Sequence, residues 1–314
     1  MKRTLLTLAV LSLLFGLAGC SIKVTKPMLR MMTAGTNKVK PYPAYADSVE
    51  KKLNVAYLEN GAAAQVVDIY YAPANVRKDA VLIDIHGGFY VAGKRENNRK
   101  FASVFLKAGY DVVLLEDRVN DGTTDVSDEL RDCAAALDFL TTHAQELGLN
   151  PDRMFLTGDS AGGHLALYMA EGTENPSMPI RPAVFKSRGA MLNCPAYDFA
   201  SFAKAERFSR GARAWFLGPR YEDEAWMKSI SPRTFIASYT GPLLVSTCLR
   251  DFIRSESVLL KADCDSLARP LTFIDVSSTD KQIGHVHNVT DPDLPESRGV
   301  NARMIQFMNE CLAL

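Results

Sequence analysis

The pentapeptide Gly158-Asp159-Ser160-Ala161-Gly162 constrains this chain more than any other stretch. The apolar run Met154-Phe155-Leu156-Thr157 precedes it and reads as a buried strand, while Gly163 to Ala170 reads as a helix. A serine on a sharp turn between strand and helix is a nucleophile elbow, its Oγ raised at the sheet edge beside a helix N-terminus. The residues flanking such a serine must lack bulk, hence the glycines. The bland alternative, a glycine-rich turn carrying a solvated serine, explains the pentapeptide but not its flanks.

The elements around it alternate. Leu53–Leu58 and Val66–Tyr71 read as two antiparallel strands about Glu59-Asn60-Gly61. Ala80–Ile85 is an apolar run broken only by Asp84 and reads as a fully buried strand. Asn97–Ala108 reads as a helix stopped by Gly109, and Asp111–Leu115 as the next strand. Ser127–Leu147 carries apolar residues at helical spacing up to Gly148. Further strands are expected near Arg188–Cys194, at Pro242–Thr247 and at Leu271–Val276, with a closing helix at Arg298–Leu312. Strand and helix in alternation mean an α/β protein with a mostly parallel sheet and helices on both faces. At 314 residues the chain can bury a large core as one such domain or two smaller ones. Its 36 basic and 36 acidic residues balance, so no basic excess marks a nucleic-acid partner.

The first twenty residues are expected to lie outside the fold. Lys2 and Arg3 precede an apolar run from Leu5 to Leu17 that is too short to span a bilayer comfortably. The run ends in Leu17-Ala18-Gly19-Cys20, which resembles the lipobox of bacterial lipoprotein signal peptides. That resemblance implies a diacylated Cys20 at the mature N-terminus, anchored at about 0.8 kcal/mol per buried CH₂. Ser21 follows the cysteine, where an aspartate would argue for the inner membrane, so the expected location is the outer membrane, facing the periplasm. An ordinary secretory signal with a chance cysteine is the alternative. Residues 21–50 read as a tether and N-terminal cap segment, and 51–314 as the catalytic domain. Of the other cysteines, Cys133, Cys194, Cys248, Cys264 and Cys311 are odd in number and fit no metal motif. Most read as buried apolar residues, with a single disulfide left open.

A second constellation, His86-Gly87-Gly88-Phe89-Tyr90 with Gly93, ends the Ala80–Ile85 strand. Acyl transfer puts negative charge on a carbonyl oxygen, and backbone N–H groups presented by a glycine-rich loop can hold it. The alternative is a glycine-rich loop with a structural histidine.

Together these stretches resemble the hormone-sensitive-lipase-like branch of the α/β-hydrolase superfamily, mostly carboxylesterases, from about Val66 to the C-terminus. His86-Gly87-Gly88-Phe89 stands for the family's H-G-G-G, and Glu116-Asp117-Arg118 for its D-Y-R. Leu147-Gly148-Leu149-Asn150-Pro151-Asp152-Arg153 leads to the elbow, and Asp251-Phe252-Ile253-Arg254 and Gly284-His285 complete the match. The resemblance implies an α/β-hydrolase fold and oxyanion donors at Gly88, Phe89 and Ala161, with Gly87 the weaker contributor. Two departures stand out. Phe89 replaces the third glycine, which keeps a backbone donor but reshapes the acyl pocket, and Asp117 replaces a tyrosine read as a support.

A serine needs a base, and the base needs a carboxylate to orient it. Asp251 lies just past the Pro242–Thr247 strand, at the C-terminal end where a parallel sheet carries its chemistry. Asp275 and Asp280 are the alternatives. Of five histidines, His86 belongs to the oxyanion loop, while His143 and His164 lie in helices and read as packed or solvated. His285 and His287 remain. Two residues apart, they share a face in extended chain, so direction does not choose. The Gly284-His285 pair favours His285 through the family's G-H-x-F pattern, with His287 in the aromatic position.

Residues 195–240 hold Phe199, Phe202, Phe208, Trp215, Phe216, Leu217, Tyr221 and Trp226. That density suggests a helical cap insertion over the site, or aromatics that simply pack the insertion onto the main domain. The expected protein is a lipid-anchored serine esterase acting on a small-molecule ester without metal or organic cofactor. An amidase, a carbohydrate-ester deacetylase and a non-catalytic binding lipoprotein remain as rivals, and oligomeric state is open.

Overall fold

The computed structural model describes residues 25–34, 44–200 and 208–314. The signal-peptide reading, Cys20, much of the 21–50 tether and Phe202 of the insertion lie outside the described residues. No described helix is long and apolar enough to cross a membrane.

Eight strands form one sheet: β1 Lys51–Ala56, β2 Val66–Tyr70, β3 Val81–Ile85, β4 Asp111–Glu116, β5 Met154–Asp159, β6 Ala190–Asn193, β7 Leu243–Cys248 and β8 Thr272–Val276. Their spatial order is β1-β2-β4-β3-β5-β6-β7-β8. The β1–β2 and β2–β4 pairs are antiparallel and every later pair is parallel, as the alternation of elements predicts.

Alternate residues of the buried strands feed two cores. Val81, Ile83 and Ile85 face one, together with Val113 and Leu115. That core receives helices Val126–Thr142 and Ala161–Gly172 through Leu130, Leu137, Leu165 and Met169. Leu82, Val112 and Leu114 face the other, against helices Arg99–Lys107 and Pro295–Leu312 through Phe101, Phe105, Met304 and Met308. Helices therefore cover both faces, which is why β3, apart from Asp84, and β4, between its terminal Asp111 and Glu116, read as apolar runs.

Several boundaries shift for local reasons. The first strand lies two residues earlier than the sequence suggests, and Asn54 at φ 55° interrupts its register against β2. The long helix breaks at His143 into Val126–Thr142 and Ala144–Leu147. There the Thr141 and Thr142 hydroxyls donate to the carbonyls of Leu137 and Asp138, competing with the helix ladder. A short helix, Lys26–Thr33, was not apparent from sequence; Pro27 opens it and Leu29 is fully buried. Between β6 and β7 lie helices Arg210–Leu217 and Glu224–Ser229, and Phe199, Phe208, Phe216 and Trp226 are buried in the first core. Those four aromatics pack the insertion down.

Candidate active site

The serine sits where β5 gives way directly to the helix beginning at Ala161, two residues earlier than the sequence suggests. Its backbone is at φ 56° and ψ −114°, a conformation that an L-residue holds only under constraint. The constraint is visible. The Ser160 N–H donates to Asn193 O at 2.8 Å, and the Ser160 carbonyl accepts from His164 N at 3.2 Å. A Cβ on Gly162 would overlap the carbonyl oxygen of Ile85, so only glycine lets this helix approach β3 so closely. The first helical N–H groups, including that of Ala161, have no intrahelical acceptor and stand beside the serine.

The loop after β3 is equally constrained. Gly88 has φ 148°, while Phe89 and Tyr90 follow at φ 57° and 62°. A Cβ at Gly88 would overlap Ala92 O, so the backbone here turns on itself. The Gly87 N–H donates to Asp159 Oδ1 at 3.1 Å and is thereby engaged. Asn98 Nδ2 donates to the same Asp159 oxygen at 3.0 Å and to Asp84 Oδ2 at 2.8 Å. Asp84 is fully enclosed. Burial, and then the charge of Asp159, push its carboxyl up to about 8.

His86 is buried behind this loop, with Nδ1 3.1 Å from Gly87 O and Nε2 3.7 Å from Asp117 Oδ1. Burial pulls His86 down, but the charges of Asp117 and Glu116 outweigh it and its pKa is raised. Asp117 is itself pushed up to about 6, first by burial. Glu116 accepts from Arg95 N at 2.9 Å and from Lys94 Nζ at 2.8 Å, and Arg118 forks onto Asp132 at 2.7 and 2.8 Å. The Glu116-Asp117-Arg118 stretch thus braces the loop and the chain leaving it.

Past β7, Asp251 is enclosed and multiply bonded. Its Oδ1 lies 2.6 Å from His285 Nδ1 and accepts the Ile253 N–H at 3.0 Å, while Oδ2 accepts from Thr247 Oγ1 at 2.8 Å. Burial works to raise Asp251. The charge of His285 and these hydrogen bonds overcome it and hold the carboxyl below its ordinary value. His285 Nε2 is buried and has no hydrogen-bond partner among the described residues.

His287 is placed differently, with Nδ1 2.9 Å from Ser297 Oγ and burial lowering its pKa. The chain is not extended here: Val286 is at φ 52° and His287 opens a helical turn, so the two histidines diverge. The alternative acids are engaged or remote. Asp275 pairs with Arg254, and Asp280 is exposed. His164 is fully buried with Nε2 2.7 Å from Ile230 O, and burial takes its pKa down to about 4. His143 is exposed.

Two residues that the sequence does not single out tie the parts together. Asn193, fully buried at the end of β6, accepts from Asn288 Nδ2 at 2.7 Å and from Ser246 Oγ at 3.0 Å. It joins the serine's strand to the turn that carries His285. Cys194 Sγ accepts the Val286 N–H at 3.3 Å and lies within 4.8 Å of ligand atoms of Asp251 and His285. Burial first, then the Asp251 charge, push that thiol well up. A cysteine, aspartate and histidine so placed have the side chains to hold a metal, but the 2.6 Å His285–Asp251 hydrogen bond already uses Nδ1. The one signal in the sequence for either residue is position, at the C-terminal end of a parallel strand.

Ser160 lines a pocket of about 10 Å³ with Ala161, Tyr90, Ala196, Phe89, Phe252 and Ile253. The Phe89 and Phe252 rings stack at 5.6 Å with 14° between their planes, and Phe252 lies 4.3 Å from the His285 ring.

Residues 67–262 match the BD-FAE family model. The chain belongs to the BD-FAE family. That places it among the esterases of the α/β-hydrolase fold. It is similar to an acetyl-hydrolase of Streptomyces hygroscopicus, 27% identical over 69% of this chain and 71% of that protein. A 99-residue stretch is 34% identical to Lipase 2 of Moraxella sp. (strain TA144), covering 31% of this chain and 23% of the lipase. Among solved structures, esterase B from Lactobacillus rhamnosis (HN001) superposes with a TM-score of 0.74 at 21% identity, over 99% of this chain and 96% of that one. The BD-FAE member described here thus has the fold that its sequence implies.

Proposed function

We propose that this protein hydrolyses carboxylic esters through a Ser160–His285–Asp251 triad and an acyl-enzyme. The observation that carries the reading is His285 itself. Its Nδ1 is held by a buried Asp251 while its Nε2 stays unclaimed, at the edge of the sheet that carries a strained serine. In this reading Ser160 Oγ attacks the ester carbonyl as its proton passes to His285 Nε2. The oxyanion lies against the N–H groups of Gly88, Phe89 and Ala161. Asp251 stabilises the imidazolium without taking its proton. Collapse breaks the C–O bond, and the departing alcohol takes the proton from Nε2. Water then attacks the acyl-enzyme and gives a proton to Nε2. That proton returns to Ser160 as the acid leaves. Likeness to an acetyl-hydrolase supports an ester substrate. The same reading keeps the enzyme on the bacterial envelope through a lipid on Cys20, its domain facing the periplasm and the 195–240 insertion capping the site.

The test is hydrolysis of p-nitrophenyl acetate by residues 21–314 and by its Ser160→Ala variant. Loss of the serine is expected to lower kcat by about 10⁴-fold or more and to abolish labelling by a fluorophosphonate probe. Undiminished turnover in Ser160→Ala would mean that the nucleophile lies elsewhere. A folded wild-type protein that neither turns over nor labels would point to a binding scaffold.

A further inference from the structure

The resemblance leads one to expect glycine at position 89, and the structure indicates what the phenylalanine does instead. Phe89 is held at φ 57°, in the region glycine favours. Its ring stacks on Phe252 from the loop after β7 and meets Phe216 of the insertion edge-on at 6.5 Å. Of these three rings, Phe89 and Phe252 line the pocket at Ser160, and Phe216 backs Phe89. The space left beside Ser160 is about 10 Å³, room for about one water or for a group the size of a methyl.

An ester presents two substituents to such a site. The leaving alcohol must take its proton from His285 and depart to solvent, so a pocket this small does not fit it. The acyl group stays on the serine, and its smallest common form carries a single methyl. We propose that the Phe89–Phe252 stack is the acyl-selectivity element of this enzyme and restricts it to acetyl esters. The proposal rests on the esterase reading above and deepens it. A longer acyl chain has to part the two rings. Because Phe252 also packs on His285, parting them disturbs the base as well as the wall. Selection then falls on turnover as much as on binding, and long-chain esters act as poor substrates rather than weak ligands.

The experiment compares kcat/KM for p-nitrophenyl acetate, butyrate, hexanoate and octanoate in wild type, Phe252→Ala and Phe89→Gly. A parallel series keeps the acetyl group and varies the leaving alcohol. The wild type is expected to fall by about tenfold or more from acetate to butyrate, with kcat declining along the series. Phe252→Ala is expected to lower acetate turnover, since His285 loses a neighbour, yet to raise the butyrate-to-acetate ratio by about tenfold or more. Phe89→Gly suits the backbone it occupies and should shift the ratio the same way. It therefore reads the pocket even if Phe252→Ala folds poorly. A wild-type profile that is flat or peaks at long chains overturns the proposal while leaving the esterase reading intact. So does an unchanged ratio in Phe89→Gly, or a change seen only in the leaving-alcohol series. Absence of serine-dependent hydrolysis with every ester overturns the esterase reading itself.

Discussion

Asp84 is an enclosed carboxyl in the middle of a parallel sheet, one strand away from the serine. Only Oδ2 has a partner among the described residues, the Asn98 amide at 2.8 Å. Burial and the Asp159 charge raise it to about 8 in the folded protein, whereas an unfolded aspartate ionises near ~4. Between these values the native state carries a proton that the unfolded chain has lost. The stabilising contribution is therefore complete below the unfolded pKa and is lost as pH rises through about 8. Glu129 and Glu171, raised well above the ordinary range mainly by burial, act in the same direction. Asp84→Asn keeps the shape without the titration. Its unfolding free energy relative to wild type should improve as pH rises from 5 to 8, by up to about 1.4 kcal/mol per unit. Urea titrations at several pH values check this, and a pH-independent difference would assign the linkage to other groups.

The helix Val126–Thr142 begins with a cap that serves two elements. Asp125 accepts the Ser127 N–H at 2.8 Å, and the Asp128 carboxylate returns to the Asp125 N–H at 3.0 Å. The same Asp125 side chain holds Arg220 of the insertion at 2.6 Å. Asp125→Ala should lower the unfolding free energy by about 1–2 kcal/mol, read by urea denaturation. Asp125→Asn caps comparably and should recover most of it; equal losses in both would assign the effect to Arg220 rather than to the helix. Such elements differ in legibility. Strand cores and helix faces show in the sequence because burial imposes a period of two or of 3.6. The break at His143 does not, because it depends on threonine hydroxyls competing for carbonyls.

The described residues build one sheet between two apolar layers, with Cys133 and Cys264 in one layer and Cys194 and Cys311 in the other. Cys133, Cys194, Cys248, Cys264 and Cys311 are all buried and free, so the disulfide left open by the sequence does not form among them. Reductant should leave the melting temperature unchanged. After denaturation, residues 21–314 should titrate as five thiols. Full-length protein recovered from membranes should also show five if Cys20 carries a lipid thioether, and a sixth thiol there would remove the anchor. The same arrangement lines up β5, β7 and β8 in parallel, so that the strand ends preceding Ser160, Asp251 and the loop of His285 lie along one edge of the sheet.

What the sequence by itself determined is local. The elbow, the glycine loop after β3 and the alternation of strand and helix are set by turn chemistry and by hydrophobic period over a dozen residues, while the order serine–aspartate–histidine is what the family resemblance implies. Which histidine meets Asp251 is not local. Val286 turns through φ 52°, so His285 and His287 leave in different directions, and no periodicity encodes that. The roles of Asn193 and Cys194, and the size of the space beside Ser160, were likewise decided only in three dimensions. They depend on contacts between segments far apart in the chain, such as Phe89 with Phe252, and close packing couples those positions without leaving a pattern along the sequence.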